Sequence, residues 1–421
     1  MFKKKQKKEQ KLIKRIINKL NIFKEEESTT YSFKEMMFVM IFSLILGFIA
    51  CFSFYLIINS GKDYRALRKD LKKLVDTYYA LTDNYYEEID KETLVDDAIK
   101  GMMSSIGDVY TNYSDTDATS VFKETVEGNY EGIGCSVGKN EDDRLKIVEI
   151  FESSPAEKAG LQKNDIIIKV DGEDYTENKT ASDLAKYIKE NKNETVTITI
   201  EREGEEKTLK VKSDKVDMPT VDNEIIEHND KKVGYITIYL LSSNTTKQFK
   251  EAINKLNKEK IDSLIIDVRG NGGGYLSVVT DIANRILPKN KTIYKLEKDK
   301  KITEKKDNTK ECLNYPIAVL VNSSSASASE ILAAAIKESY GGYVVGTNTY
   351  GKGTVQQTTT LPDGSMVKYT VQKWLTPKGT WVNEKGVEPT NIVELEENYY
   401  NNPIRENDNQ LLTALDLVTQ K

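Results

Sequence analysis

The sequence predicts an α/β core preceded, in chain order, by one membrane-spanning helix, a helical region and a smaller α+β unit. Three observations predict it. Apolar strands alternate with amphipathic helices over 215–395, short strands and turns dominate 127–214, and residues 36–58 carry no charge at all. A chain of 421 residues is also too long for one average core, so several units are expected.

The first 35 residues form a basic arm with eleven Lys/Arg against five Asp/Glu. That surplus of six, set against −5 for the whole chain, leaves the remainder at −11, an acidic balance that gives no reason to expect a nucleic-acid partner. The apolar run 36–58 follows. At 1.5 Å per residue it reaches about 34 Å, enough for a hydrocarbon core of about 30 Å. The arm places the N-terminus in the cytoplasm and everything after the run outside the cell membrane, as a single-pass protein. A cleavable signal is the rival, but its apolar region usually spans only about 7–15 residues, so an uncleaved anchor is expected. A lipoprotein signal at Cys51 is disfavoured because the apolar run continues beyond it. Cys135 and Cys312 are the only cysteines past the run, which excludes a disulfide framework and leaves one bridge open.

Residues 62–126 show helical spacing in Leu67, Leu71, Leu74, Tyr78 and Leu81, then in Leu94, Ile99, Met102 and Met103. Segment 127–214 opens on Gly132-Ile133-Gly134. Strands are expected at 145–151, 165–170, 196–200 and 208–211, with helices at 154–161 and 181–191. Arg202, on the closing hairpin, is expected to be a solvated charge, the alternative being a residue that reports ligand binding to the core. In 215–395 the candidate strands are 235–240, 264–268, 317–321 and 343–346, and the candidate helices 246–257 and 276–286. The tail 396–421 holds a helix at 409–418, a candidate for assembly.

The chemistry concentrates between 322 and 356, where N-S-S-S-A-S-A-S-E is followed by Y-G-K-G-T-V-Q. A buried strand at 317–321 and a helix at 330–337 place the serines on a strand-to-helix turn, where the first N–H groups of the helix favour negative charge. A serine needs a base. The single histidine, His228, lies in the polar stretch 227–231 and is expected to be a solvated loop residue. Lysine can serve if burial or nearby positive charge lowers its pKa. Lys352, between two glycines and two apolar strands, suits that role, though residue types alone, in a chain so rich in lysine, favour a surface lysine in a glycine turn. They also leave Ser323, Ser324, Ser325, Ser327 and Ser329 undistinguished, with Ser329 the natural N-cap. Asp267-Val268-Arg269-Gly270-Asn271-Gly272-Gly273-Gly274 forms a second turn after a buried strand. A phosphate loop would need G-K-S/T where Tyr275-Leu276 stand, so that reading fails.

These three segments resemble the carboxyl-terminal processing, or tail-specific, proteases, serine peptidases with a Ser–Lys centre. Thr376-Pro377-Lys378-Gly379 and Gly386-Val387-Glu388-Pro389 also match. The resemblance implies Ser327 as nucleophile, Lys352 as base and Gln356 orienting the lysine. It further implies Gly273 (with Gly272 as alternative) and Ala328 as oxyanion donors, and Asp267 and Arg269 as supports of the loop. Segment 127–214 resembles a PDZ domain, which implies that Gly132, Ile133 and Gly134 hold a peptide's terminal carboxylate. The expected fold class is thus an α/β peptidase core with an inserted PDZ domain, an N-terminal helical region and one transmembrane helix. Parts of 62–126 join the core as an arm or lid, a region the family commonly uses for dimerisation, so a homodimer is an expected partner state. The family's D-P-H-S-x-Y element is replaced here by Gly107-Asp108-Val109-Tyr110-Thr111-Asn112-Tyr113. The implied activity is an extracytoplasmic endopeptidase that cuts proteins near their free C-termini through an acyl-enzyme; the alternative is a catalytically silent PDZ scaffold. No cofactor or metal is expected, since there are no clustered histidines and no Cys-x-x-Cys.

Overall fold

A computed structural model describes residues 32–59, 64–192 and 194–420, in two compact units that divide after Leu94. In the first unit the apolar run is helical from Phe33 to Asn59. A second helix, Tyr64–Asn84, leaves Leu71, Leu74, Val75 and Leu81 exposed. A third, Lys91–Ser104, begins in the first unit and ends in the second.

The second unit is built on a six-stranded sheet. The strands Val221–His228 and Lys231–Ile238 form an antiparallel hairpin, and Ser263–Asp267, Ile317–Val321, Tyr343–Gly346 and Asn391–Ile392 then add in parallel. Side chains alternate across it with period two. Leu264, Ile266, Val319 and Val321 face the helices Thr245–Lys258, Leu276–Ile286 and Ala328–Ala335, whereas Ile265, Ala318, Leu320 and Val345 face the tail helix Asn409–Thr419. Because both faces are covered, the central strands are apolar without interruption, which is why they were legible. The tail helix therefore packs Leu411, Ala414, Leu415 and Val418 on its own sheet, so its apolar face is covered within the chain.

A second sheet had no clear signal. It pairs Asn112–Ser114, Met366–Leu375, Thr292–Lys298 and Lys301–Lys306, with Thr354–Thr360 along the other edge of Met366–Leu375. The segment that departs from the family pattern at 107–113 thus runs into a strand on the edge of this sheet.

The 127–214 region is a five-strand sheet in the order Cys135–Lys139, Leu145–Ile150, Ile166–Val170, Thr195–Arg202, Glu205–Lys212, with a short sixth strand, Glu173–Asp174, on Ile166–Val170 and helices Pro155–Ala159 and Ala181–Glu190. Its incoming and outgoing strands, Asn129–Gly132 and Asp214–Asp217, pair with each other as a neck. Two expectations are corrected. Arg202 is not a solvated charge: it makes a two-pronged ion pair with Asp165, a side chain with no exposed surface, because the hairpin folds back over the turn that carries Asp165. His228 is not in a loop; it closes the strand Val221–His228, half-buried, with Nε2 2.7 Å from Asp416. Cys135 and Cys312 are both free thiols.

One buried hub fixes the glycine loop to the tail. Arg269 bonds Asp267 at 2.6 Å and Asp408 at 2.8 Å, and also Gln410; Asp408 in turn caps the tail helix through Leu411 N. Burial opposes the Arg269 charge, but the two carboxylates more than offset it and raise its pKa. Arg269→Met would leave two buried carboxylates facing each other. It is expected to cost about 3–5 kcal/mol, read as a lower urea midpoint.

Candidate active site

Two turns at the C-terminal edge of the large sheet meet at Ser327. The strand Ile317–Val321 ends and the helix begins at Ala328, so Ser327 rather than Ser329 occupies the N-cap position. Its backbone has φ +54° and ψ −114°, a region that costs a non-glycine residue on the order of 1–3 kcal/mol. The surroundings over-determine it. Ser325 Oγ donates to Val268 O, Ala326 N to Asn271 O, and Gly270 N to Asn322 Oδ1, so the serine turn and the glycine loop are bonded along their length.

Glu330 completes the constraint. Its carboxylate is fully buried and accepts four hydrogen bonds: from Ser327 N at 2.7 Å, Thr349 Oγ1 at 2.6 Å, Gly351 N at 2.7 Å and Lys352 N at 2.9 Å. One side chain thus holds both the Ser327 turn and the Lys352 turn. From the other side, both tryptophans of the chain grip the lysine turn, Trp374 Nε1 donating to Lys352 O and Trp381 Nε1 to Gly353 O.

Ser327, Ala328, Gly272, Gly273, Lys352 and Gln356 line one cleft of about 560 Å³. Leu240, Tyr275, Leu276, Ile331 and Val355 supply apolar wall. Gly273, at φ +101°, lies so close that a Cβ there would sit 2.7 Å from Ala326 O and 2.9 Å from Ser327 Cβ; only glycine fits. Its N–H, however, donates to Asn271 Oδ1 at 2.8 Å. Gln356 gives its amide nitrogen to Thr354 and Thr370.

Lys352 Nζ rests 4.8 Å above the Tyr110 ring and not on Ser327 Oγ. Burial, reinforced by the Lys368 ammonium, lowers its pKa below the ordinary lysine value, against opposition from Asp108 and Glu330. The Tyr110 phenol is itself pushed up to about 12, by burial first and then by its bond to Tyr350. Removing a neighbouring cation relieves the charged form, so Lys368→Met should raise the Lys352 titration midpoint and Asp108→Asn should lower it. Titration of Lys352 by NMR reads both directions.

The resemblance thus named residues that the fold brings to one cleft. Glu330 stood in its S-A-S-A-S-E motif and Asn271 in its glycine loop, but nothing local marked their bonds. Tyr110, Asp108 and Lys368 were missed, because they reach the lysine only through the second sheet.

In the 127–214 region, a groove of about 790 Å³ runs between the strand Cys135–Lys139 and the helix Ala181–Glu190. Gly132 and Ile133 line it, and Cys135, Val137, Leu184 and Ile188 give it apolar surface. Burial pushes the Cys135 thiol up to about 12. Gly134 has φ +81°, and a Cβ there would strike Ser154 at 2.4 Å, so the loop keeps its shape only with glycine.

A serine turn held against a glycine loop, a desolvated lysine and an appended peptide-groove domain define a serine-type peptidase carrying a PDZ domain. Residues 232–393 match the model of peptidase family S41, 132–213 that of a PDZ domain, and 57–118 that of the activating protease CtpB N-terminal domain. The chain is 37% identical over 350 residues to carboxy-terminal processing protease CtpB of Bacillus subtilis (strain 168), covering 80% of this chain and 70% of that protein. It is 34% identical over 323 residues to a probable CtpA-like serine protease of Staphylococcus aureus (strain N315), covering 76% of this chain and 64% of that protein. A putative S41 protease from Bacteroides fragilis NCTC 9343 shares the fold, with a TM-score of 0.50 at 18% identity over 79% of this chain and 90% of that one. The chain belongs to the carboxyl-terminal processing proteases of peptidase family S41.

Proposed function

We propose that this chain is a membrane-anchored, extracytoplasmic endopeptidase that captures the free C-terminal tail of a protein in its PDZ groove and cuts upstream of it. The observation that carries this reading is the shared cleft, in which Ser327 lies beside Ala328 and Gly273 and a lysine of lowered pKa stands opposite. Ser327 Oγ attacks the peptide carbonyl carbon as neutral Lys352 accepts the hydroxyl proton. The oxyanion is stabilised by the Ala328 N–H at the start of the helix and by the Gly273 N–H. Collapse passes the proton to the departing amine and leaves an acyl-enzyme, which water hydrolyses by the same path in reverse. Gln356 orients the lysine from the far wall.

Two movements separate this conformation from the reacting one. Lys352 Nζ must leave the Tyr110 ring for Ser327, and the Gly273 N–H must exchange Asn271 for the oxyanion. Neither breaks the Glu330 bonds, which run to backbone and to Thr349. The helix Thr116–Glu127 supports a link between capture and cutting, since Asp117 and Glu124 line the groove while Phe122 and Val126 line the cleft. The exposed Leu71, Leu74 and Leu81 support a homodimer through the N-terminal helical region. The stretch Phe33–Tyr55 of the helix Phe33–Asn59, with mean hydropathy 2.5, supports the anchor, and the basic arm before it supports an external catalytic part.

Ser327→Ala should abolish hydrolysis of a peptide substrate with the fold intact, and Lys352→Ala should slow it about 10²–10⁴-fold. Wild-type activity should rise with pH as Lys352 loses its proton, with a midpoint below the ordinary lysine value; His228→Ala should leave both rate and midpoint unchanged. Survival of activity in Lys352→Ala with its collapse in His228→Ala would sink the Ser–Lys mechanism, whereas no hydrolysis by the wild type would favour a silent scaffold. Protease added to intact cells should remove the C-terminal part; digestion of the N-terminal arm alone would invert the topology.

A further inference from the structure

The peptide groove has an electrostatic problem. Asp117, Glu124, Glu131 and Glu190 line it against Lys186 and Lys189 alone, so an incoming carboxylate meets a surplus of negative charge. The groove helix worsens this, because its C-terminal end carries the negative pole of the helix dipole. Lys189 stands in the last turn of that helix and offsets both effects. In this conformation its ammonium is engaged by Glu124 at 2.7 Å. Glu124 belongs to the last turn of Thr116–Glu127, which leads through Gly128 into the strand Asn129–Gly132 and so into the carboxylate loop. The groove helix packs on that same strand, so Lys189, Glu124, Gly132 and Ile133 all line one groove.

We propose that Lys189 is the cationic anchor of the substrate's terminal carboxylate and that Glu124 is its resting partner, displaced when a tail binds. The proposal rests on the tail-recognition reading above and adds to it the residues that make a free chain end distinguishable from a neutral one. Magnitudes favour the exchange. The side chains of Lys189 and Glu124 are 50% and 30% exposed, and a pair so accessible to water is weak and readily exchanged. A carboxylate seated on backbone N–H groups and an ammonium together makes charge-assisted bonds roughly twice as strong as neutral ones. The tail therefore wins Lys189 from Glu124, whose carboxylate is returned to water.

The test uses the full-length protein in detergent with Ser327→Ala, so that nothing is cut. A fluorescent decapeptide ending in Ala-Val, as free acid and as C-terminal amide, is titrated by anisotropy. The Ser327→Ala protein should prefer the acid by about tenfold or more. Adding Lys189→Gln should shrink that preference to about threefold or less, and Lys189→Arg should restore most of it. Glu124→Gln should tighten binding of the acid by about two- to fivefold and leave the amide unchanged. Full acid preference in Lys189→Gln, an equal loss for acid and amide, or weaker acid binding in Glu124→Gln would each overturn the anchor while leaving tail recognition standing. No acid preference in the Ser327→Ala protein itself would remove tail recognition, and the anchor with it.

Discussion

The constraint on which the catalytic part depends is the buried carboxylate of Glu330. Isolating a carboxylate from water is very unfavourable, and here four donors from two different turns repay that cost. Because three of the four are backbone N–H groups, the bonds fix main-chain position, so the Ser327 turn and the Lys352 turn cannot drift independently. Side chains remain free to move on this fixed frame. On that frame the Lys352 side chain rests on the Tyr110 ring and the Gly273 N–H on Asn271.

Strain and burial divide the work. The positive φ of Ser327 is tolerable only because bonds from Glu330, Asn271 and Val268 surround it, and the lowered pKa of Lys352 follows from the same dense packing. Arg269 extends the network to the tail helix, whose apolar face covers the far side of the sheet. A residue nearly at the chain's end thus helps hold the glycine loop beside Ser327.

Legibility in the sequence followed locality. The strands 317–321 and 343–346 were plain, because a strand buried on both faces is apolar throughout. The helix 409–418 was plain from its spacing, but its partner was not, since periodicity shows that a face is apolar without showing what covers it. The strand Met366–Leu375, and the length of Thr354–Thr360 beyond Val355, escaped notice because they are rich in threonine, glutamine and lysine and half exposed. Missing them hid Lys368 and its influence on Lys352. Arg202 was misjudged for a related reason: a charged residue on a hairpin is usually solvated, and only the fold brings Asp165 beneath it. Among the site residues, chemistry narrowed the choice to a serine and a lysine, and only the family resemblance selected Ser327 from five candidates.

The neck formed by Asn129–Gly132 and Asp214–Asp217 has a consequence for how such a chain can change over time. The two points at which the groove domain leaves and rejoins the core are joined by a strand ladder, so the remainder of the fold closes on itself without it. A domain hung in this way is a cassette. Its reading preference can be rewritten, or the whole insert exchanged for another with adjacent ends, while the cutting machinery inherits no geometric debt from the swap.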